Sequence, residues 1–395
     1  MSNKKNKPLM PKLRFPAFRN SPEWISEKVD RLVDTITPPK KLPTSSYAVN
    51  GDFPIIDQSQ NAICGWTDDR EALIKDDLPL IIFGDHTCIL KLLDRPFAQG
   101  ADGIKILKPR PRIGTSYLYQ YLSYRPVVTE EYKRHYSILK EKVVLFPDFK
   151  TGEQQKIADC LSSLDELIAA QARKVDALKT HKKGLMQQLF PREGETQPRR
   201  RFPEFRDAGK WEKMTLGTAA NFYNGRAYKQ EELLDAGKYK VLRVGNFFTN
   251  NNWYHSNLEL DETKYCEDGD LLYAWSASFG PRVWRGEKTI YHYHIWKVVE
   301  HSGIDKQFLF IILEHETERM KAKTTNGLGI MHITKGAIEG WESFFPGLAE
   351  QRKIADRLIN LDGVIAAEAR KLELLAEHKK ALMQQIFPSI DGIKI

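Results

Sequence analysis

The chain repeats itself, and the repeat limits what it can fold into. Glu153 to Pro191 reads EQQKIADCLSSLDELIAAQARKVDALKTHKKGLMQQLFP, and Glu350 to Pro388 reads EQRKIADRLINLDGVIAAEARKLELLAEHKKALMQQIFP. At a constant offset of 197 and without gaps, 25 of the 39 positions are identical. A second pair precedes these, Arg14-Phe-Pro-Ala-Phe-Arg19 up to Trp24 and Arg201-Phe-Pro-Glu-Phe-Arg206 up to Trp211. The intervening segments share no obvious identity. The order is variable, repeat, variable, repeat.

Alternating steps of four and three run through Ile157, Leu161, Leu164, Ile168, Gln171, Val175, Leu178, Lys182, Leu185 and Leu189. The second copy gives Ile354, Leu358, Leu361, Ile365, Glu368, Leu372, Leu375, Lys379, Leu382 and Ile386. Eight of ten positions are apolar in each, and the polar exceptions fall at the same two places. A 3.5-residue spacing keeps one narrow stripe facing a partner helix, whereas a helix lying on an ordinary core shows a wider stripe. Each copy is therefore expected to pair with the other as a coiled coil. More than 120 residues separate them, so the chain has room to return antiparallel. Such a pair, about 50 Å long at 1.5 Å per residue, would hold two domains at the ends of a rod and space two half-sites about one turn of DNA, roughly 34–36 Å, apart. Polar seam residues specify register at a cost in stability, so Lys182 is expected near Glu368 and Lys379 near Gln171.

Composition allows two cores, with 41% hydrophobic and 11% aromatic residues. Cys64, Cys88, Cys160 and Cys266 lack zinc-site or disulfide-framework spacing, which fits a reducing cytoplasm. No apolar run approaches membrane-spanning length, and the lysine-rich start reads as a flexible tail, not a signal peptide. The net charge of +8 sits mainly in residues 1–24 and 192–211, while both variable segments are close to neutral. Phosphate contacts dominate non-specific DNA affinity, so such domains would bind weakly alone. That favours a subunit over a free-standing DNA binder.

Short apolar runs at Leu78–Phe83, Ile104–Leu107, Val143–Phe146, Asp270–Trp275 and Ile295–Val299 read as strands bounded by turn residues, with helical pieces at Ser116–Tyr124 and Lys306–Lys321. The expected class is α+β: two globular mixed domains and two long helices, an internal pseudo-two-fold repeat. Segment by segment, 1–24 is a basic leader, 25–152 the first domain, 153–191 a helix, 192–211 linker and repeated leader. Residues 212–349 form the second domain, 350–388 the second helix, and 389–395 a tail.

Loops on such scaffolds carry recognition. In the first domain, Gln58, Ser59, Gln60 and Asn61 concentrate groups able to pair with adenine edges, His86 and Thr87 follow a strand, and Lys108, Arg110 and Arg112 form a basic strip suited to phosphates. The second domain offers Asn224, Arg226, Tyr228 and Lys229, then Arg243 and Asn246. Ser276 and Ser278 with Arg282 echo the first domain's strand-end loop, and Thr324, Thr325 and Asn326 lie in a glycine-containing loop. A solvated turn is the bland alternative for each. His292 and His294 could share one face of a strand as a metal pair, but no third ligand is nearby, so a half-buried strand face is the better reading. Pro147-Asp148 followed by Glu153 and Lys156 has the wrong spacing for a nuclease site. Dinucleotide, phosphate-loop and adenine-methylation motifs are missing, so no catalytic residue is assigned.

The arrangement resembles the specificity subunit of type I restriction–modification systems. The resemblance rests on the two variable domains alternating with repeated helices, the Glu-Gln-x-Lys-Ile-Ala starts (Glu153–Ala158, Glu350–Ala355), the Leu-Met-Gln-Gln-(Leu/Ile)-Phe-Pro ends and the Arg-Phe-Pro-x-Phe leaders. Phe-Pro-Asp-Phe (146–149) and Pro-Gly-Leu-Ala (346–349) replace the proline-rich entry the family often has. The resemblance implies a non-catalytic subunit in which each domain reads half of a bipartite, asymmetric site on double-stranded DNA. It implies two methyltransferase subunits docked on the helices, restriction subunits joined through them, and S-adenosylmethionine, ATP and magnesium held by the partners. A stand-alone nucleic-acid enzyme and a scaffold with no nucleic-acid role are the alternatives.

Overall fold

The computed structural model describes residues 9–101, 103–129, 134–248, 250–276, 278–324 and 333–389. It divides into two units, Met1–Arg173 with Ala369–Ile395, and Lys174–Glu368.

In the first unit, β1 (Ile25–Lys28) leads through α1 (Val29–Leu32) into β2 (Val33–Ile36). Strands β3 (Phe53–Ile56), β4 (Gly65–Thr67), β5 (Leu73–Ile74), β6 (Leu80–Gly84), β7 (Leu90–Leu93), β8 (Phe97–Gln99) and β9 (Ile104–Pro109) follow. They make two four-stranded sheets, ordered β2-β9-β6-β7 and β4-β3-β8-β5, with β3 parallel to β8. Then come α2 (Thr115–Tyr124), α3 (Tyr136–Glu141) and β10 (Val143–Phe146), which pairs antiparallel with β1. Side-chain alternation explains the two-layer core. On β6, Ile81 and Phe83 face a cluster shared with Tyr117, Leu118, Tyr121 and Leu122 of α2, while Leu80 and Ile82 face the second sheet with Phe97. The apolar run is continuous because both faces are buried.

The second unit repeats this plan although its sequence does not. It contains β11 (Glu212–Thr215), α5 (Leu216–Ala219), β12 (Ala220–Asn224), β13 (Tyr239–Leu242), α6 (Val244–Phe248), β14 (Tyr254–Ser256), β15 (Tyr265–Cys266) and β16 (Leu271–Ser276). After these come β17 (Ser278–Val283), β18 (Thr289–Tyr291), β19 (Ile295–Glu300), α7 (Lys306–Thr324), α8 (Lys335–Glu339) and β20 (Glu342–Phe345). Sheet orders β12-β19-β16-β17 and β14-β13-β18-β15, the parallel pair β13 with β18, and the closing pair β11 with β20 match the first unit strand for strand. Buried residues again alternate, Leu271 and Tyr273 toward α7 and Leu272 toward the other sheet.

The repeats are single helices, α4 (Glu153–Leu189) and α9 (Leu348–Ile386), the first about 55 Å long at 1.5 Å per residue. Every seam position in both is buried or half-buried. Within the first unit, Ile157 and Leu161 pack with Met383, Ile386 and Phe387. Within the second, Leu189 and Phe190 pack with Ile354 and Leu358. The helices therefore run antiparallel in each unit, the return for which the intervening domain leaves room. Phe387 inserts edge-on against Tyr117 and Tyr121, with ring centroids 5.9 and 5.2 Å away. Burying such a ring contributes about 1.5–3 kcal/mol.

The expected seam register is corrected. Lys182 bonds Asp362 at 2.7 Å, not Glu368, and Lys379 bonds Asp165 at 2.5 Å, not Gln171. Glu368 pairs with Lys174. Asp362 and Glu368 are six residues apart, about 9 Å along the helix, so one lysine cannot serve both. The long lysine stem covers the seam while its charge reaches a flanking carboxylate.

The short repeated motifs join each domain to its helix. Arg14 makes a bidentate pair with Glu153 (2.8 and 2.7 Å), and Arg201 makes the same pair with Glu350 (2.9 and 2.5 Å). The carboxylates are nearly inaccessible, at 1% and 3% side-chain exposure. The Gln154 amide accepts from the Gly114 N–H and donates to the Arg112 and Pro147 carbonyls. Gln351 likewise accepts from Asp305 N–H and donates to Gly303 and Pro346. Lys156 lies over Phe15, and Lys353 over Phe202. The departures at 146–149 and 346–349 leave this joint intact, because a carbonyl from a Phe-Pro step meets the glutamine in both. The extra length in the first is taken up by a turn ending at Gly152, whose φ of +78° suits glycine. The leaders also close on the helix ends, Leu13 N–H to the Gln385 carbonyl and Arg200 N–H to that of Gln188, both 3.0 Å.

Candidate nucleic-acid interface

In the first domain the structure gathers part of the expected set. The Gln58 carboxamide oxygen accepts from His86 N–H at 3.2 Å, and the Thr87 hydroxyl donates to the Gln58 carbonyl at 2.8 Å. Asp85 N–H donates to the Gly103 carbonyl at 2.7 Å. The loop after β3, the β6–β7 hairpin and the β8–β9 turn therefore meet at one end of the domain. Ser59 is tied inward, its N–H to Asp57 and its hydroxyl beside the Cys64 thiol at 3.1 Å. Lys91 bonds the carbonyls of Asp57 and Asn61, which shapes the loop and leaves Gln60 and Asn61 exposed.

The basic strip does not join them. Lys108, Arg110 and Arg112 lie at and beyond the far end of β9, about 15 Å away at 3.3 Å per strand residue. Two of the three cations have local carboxylate partners. Lys108 bonds Asp76 at 2.5 Å and Asp77 at 3.0 Å, and Arg110 bonds Asp34 at 2.7 Å. Those bonds raise the Lys108 ammonium above its ordinary value and hold the Asp34 carboxyl below its own. Such exposed pairs are screened by water and exchange readily. Arg112 is exposed beside the Gln154 joint.

In the second domain, the equivalent end holds Asn224, Arg226, Tyr228, Arg243, Asn246 and Ser276. Arg226 is fixed by a bidentate bond to Glu232 (2.9 and 2.7 Å), and its guanidinium lies over the Tyr228 ring. That bond holds the Glu232 carboxyl below its usual range. Lys229 donates its N–H to Glu232 and leaves its side chain exposed. Two amides have structural work: Asn224 accepts from the Trp296 indole at 2.5 Å, and Asn246 donates to the Asn250 and Asn252 carbonyls at 3.1 and 2.7 Å. Arg243 is exposed over Tyr254, and Arg282 over Phe248. Ser276 is buried at the tip of the β16–β17 hairpin, the counterpart of the loop carrying His86. Ser278 starts β17, Thr324 ends α7, and Thr325 and Asn326 lie outside the described residues.

Sequence reasoning passed over an aromatic column at this end. Tyr273, Trp296 and Trp275 stack at 5.9 and 5.6 Å, from the core to the hairpin tip, and Trp275 meets His294 edge-on at 4.9 Å. His292 and His294 occupy the turn between β18 and β19, not a strand face, and exposed Tyr293 stands between them. Burial, then His294 and Arg243, lower the His292 imidazole to about 4, so it is neutral near pH 7. Among the described residues, no group of three or more His, Cys, Asp or Glu is placed to hold a metal ion. The alternating aromatics in 273–275 and 291–296 were the available signal.

A family model described as the type I restriction modification DNA specificity domain matches residues 208–377. The MjaVIII type I restriction enzyme specificity subunit of Methanocaldococcus jannaschii is 26% identical over 250 residues, 58% of each chain. The EcoBI specificity subunit of Escherichia coli is 21% identical over 178 residues, 45% of this chain and 37% of that one. The chain thus spans from under two fifths to about three fifths of these relatives. The S subunit of a type I restriction-modification system from M. genitalium shares the fold, with a TM-score of 0.61 at 18% identity over 96% of this chain and all of that one. A chain from a structure of the assembly and conformational transition of the type I R-M system has a TM-score of 0.53 at 15% identity, covering 93% and 98%. No helix among the described residues is long and apolar enough to cross a membrane. Residues 208–377 thus match the type I restriction modification DNA specificity domain, and the chain is similar in sequence to type I specificity subunits over part of their length and shares the fold of an S subunit.

Proposed function

We propose that this chain is the DNA-recognition subunit of a type I restriction–modification complex, each domain reading one half of a bipartite, asymmetric site on double-stranded DNA. The observation that carries this is that two domains of one strand order, seated through the same arginine–glutamate and glutamine joints, present different side chains at the same end. That end is amide- and hydroxyl-rich in the first domain (Gln58, Gln60, Asn61, Thr87) and aromatic and cationic in the second (Arg226, Tyr228, Arg243, Tyr293). Amides and guanidinium groups read base edges, and aromatic faces contact bases. Phosphate contacts fall to Lys108 and Arg110, which exchange weak surface carboxylate partners for DNA, and to exposed Arg112, Lys229 and Arg282.

The antiparallel helices set the spacer and, through their duplicated outer faces, dock two copies of one methyltransferase subunit. Restriction subunits join through that partner. Methyl transfer and ATP-driven cleavage belong to the partners, which bind S-adenosylmethionine, ATP and magnesium. The test is selection of random duplex DNA by the purified chain with its methyltransferase. The expected pool contains two unrelated half-sites at one fixed spacing, and a pool without enrichment, while the complex is intact, refutes the reading.

A further inference from the structure

We infer that each domain is aimed by one side chain reaching from its own helix into the charged seam, Gln120 from α2 and Glu314 from α7. The seam holds two equivalent ion pairs, Asp165 with Lys379 and Lys182 with Asp362, each joining α4 to α9 inside one unit. Both lysines are largely covered, with side-chain exposures of 14% and 17%. In the first unit the Gln120 amide donates to the second Asp165 oxygen at 2.7 Å while Lys379 holds the first. In the second, Glu314 lies 3.5 Å from the Lys182 ammonium, which Asp362 shares.

Each contact thus unites a domain helix with both long helices. The chemistry is reversed between units, an amide donor on the seam carboxylate and a carboxylate acceptor on the seam ammonium. Apolar packing alone would be indifferent to that matching. Gln120 is buried, burying an amide is costly without a hydrogen bond, and its directional bond to Asp165 adds an orientation constraint to the apolar packing and the leader joints. Gln120 and Glu314 are therefore positioning residues, distinct from those facing DNA.

This rests on the DNA-recognition reading, so the experiment carries two readouts. The full chain with its methyltransferase, as wild type, Gln120→Ala, Glu314→Ala and Glu314→Gln, is used to select duplex DNA. The alanine variants should keep both half-sites while the share of molecules with a spacer one base pair too short or long rises about fivefold, the scale of a contact-pair coupling. Glu314→Gln, whose carbonyl still accepts from Lys182, should stay near wild type. Unchanged spacer distributions in both alanine variants overturn the inference. If the wild-type complex selects no sequence, the recognition reading fails, and hydrogen exchange decides the contact by itself. Glu314→Ala should speed exchange in α7 and around Lys182, and unchanged exchange there overturns the inference independently.

Discussion

Replacing Arg201 with alanine tests whether the leader is a structural latch. Arg201 bonds Glu350 through two nitrogens and caps the carbonyls of Ala208 and Gly209. Glu350 is 3% exposed, so the variant strands a largely buried carboxylate without its partner. Removing one partner of a buried pair costs about 3–5 kcal/mol, whereas replacing both with apolar groups is often near neutral. For a unit of about 195 residues, each kcal/mol shifts the melting temperature by about 2–4 °C, so Arg201→Ala should lower this unit's transition by about 6–20 °C. Arg201→Met with Glu350→Leu should recover most of that loss. Arg14→Ala should act equally on the other unit through Glu153. Melting followed by fluorescence and circular dichroism resolves the two transitions. A drop below about 2 °C, or a double variant as unstable as the single one, would show that the Arg201–Glu350 pair is not a structural latch.

Three further outcomes follow from the same architecture. Substituting Arg226 or Tyr228 should change one half-site and Gln60 or Asn61 only the other, costing about 1–3 kcal/mol at one base position, measured by competition binding. Inserting four residues at equivalent points of α4 and α9 lengthens each helix by about 6 Å, nearly two base pairs. Methylation mapping should show a longer spacer with both half-sites kept. His292 is held near 4 in the folded chain against 6.5 unfolded. The unfolded state therefore binds more protons between those values, so this contribution to stability is complete above pH 6.5 and is lost on acidification toward pH 4. His292→Asn should flatten the acid-side loss in a pH series of melting curves, and an unchanged slope contradicts the assignment.

The helices were legible because a seam is a periodic signal, and each seam position is covered. Their register was not, since lysine stems reach flanking acids that a seam list omits. Asp165 and Asp362 sit one residue past Leu164 and Leu361. The strands at Val143–Phe146 and Ile295–Val299 were legible because buried strands read as apolar runs. The common topology of the two domains was not, because alternation toward two cores can be met by Ile81 and Phe83 or by Leu271 and Tyr273. At the candidate interface, residue type located the loops but not their bonds. Asn224 and Asn246 hold the backbone and a neighbouring indole, and Lys108 and Arg110 answer acids far away in sequence. The Arg-Phe-Pro and Glu-Gln motifs were visible as repeats, yet only three-dimensional contact shows that Arg14 and Arg201 belong with Glu153 and Glu350.

Two readers of one fold on equivalent seats should be interchangeable, and duplicating one reader tests this. A chain in which residues 212–349 are replaced by a second copy of 25–152 keeps both leaders, both helices and both joints. Expressed with its methyltransferase and mapped by single-molecule sequencing of methylated DNA, it should modify an inverted repeat of the first half-site, with the native second half-site gone. Continued modification of the native asymmetric site by that chain, or modification without sequence preference while its methyltransferase remains bound, would show that the two domains are not independent readers on equivalent seats.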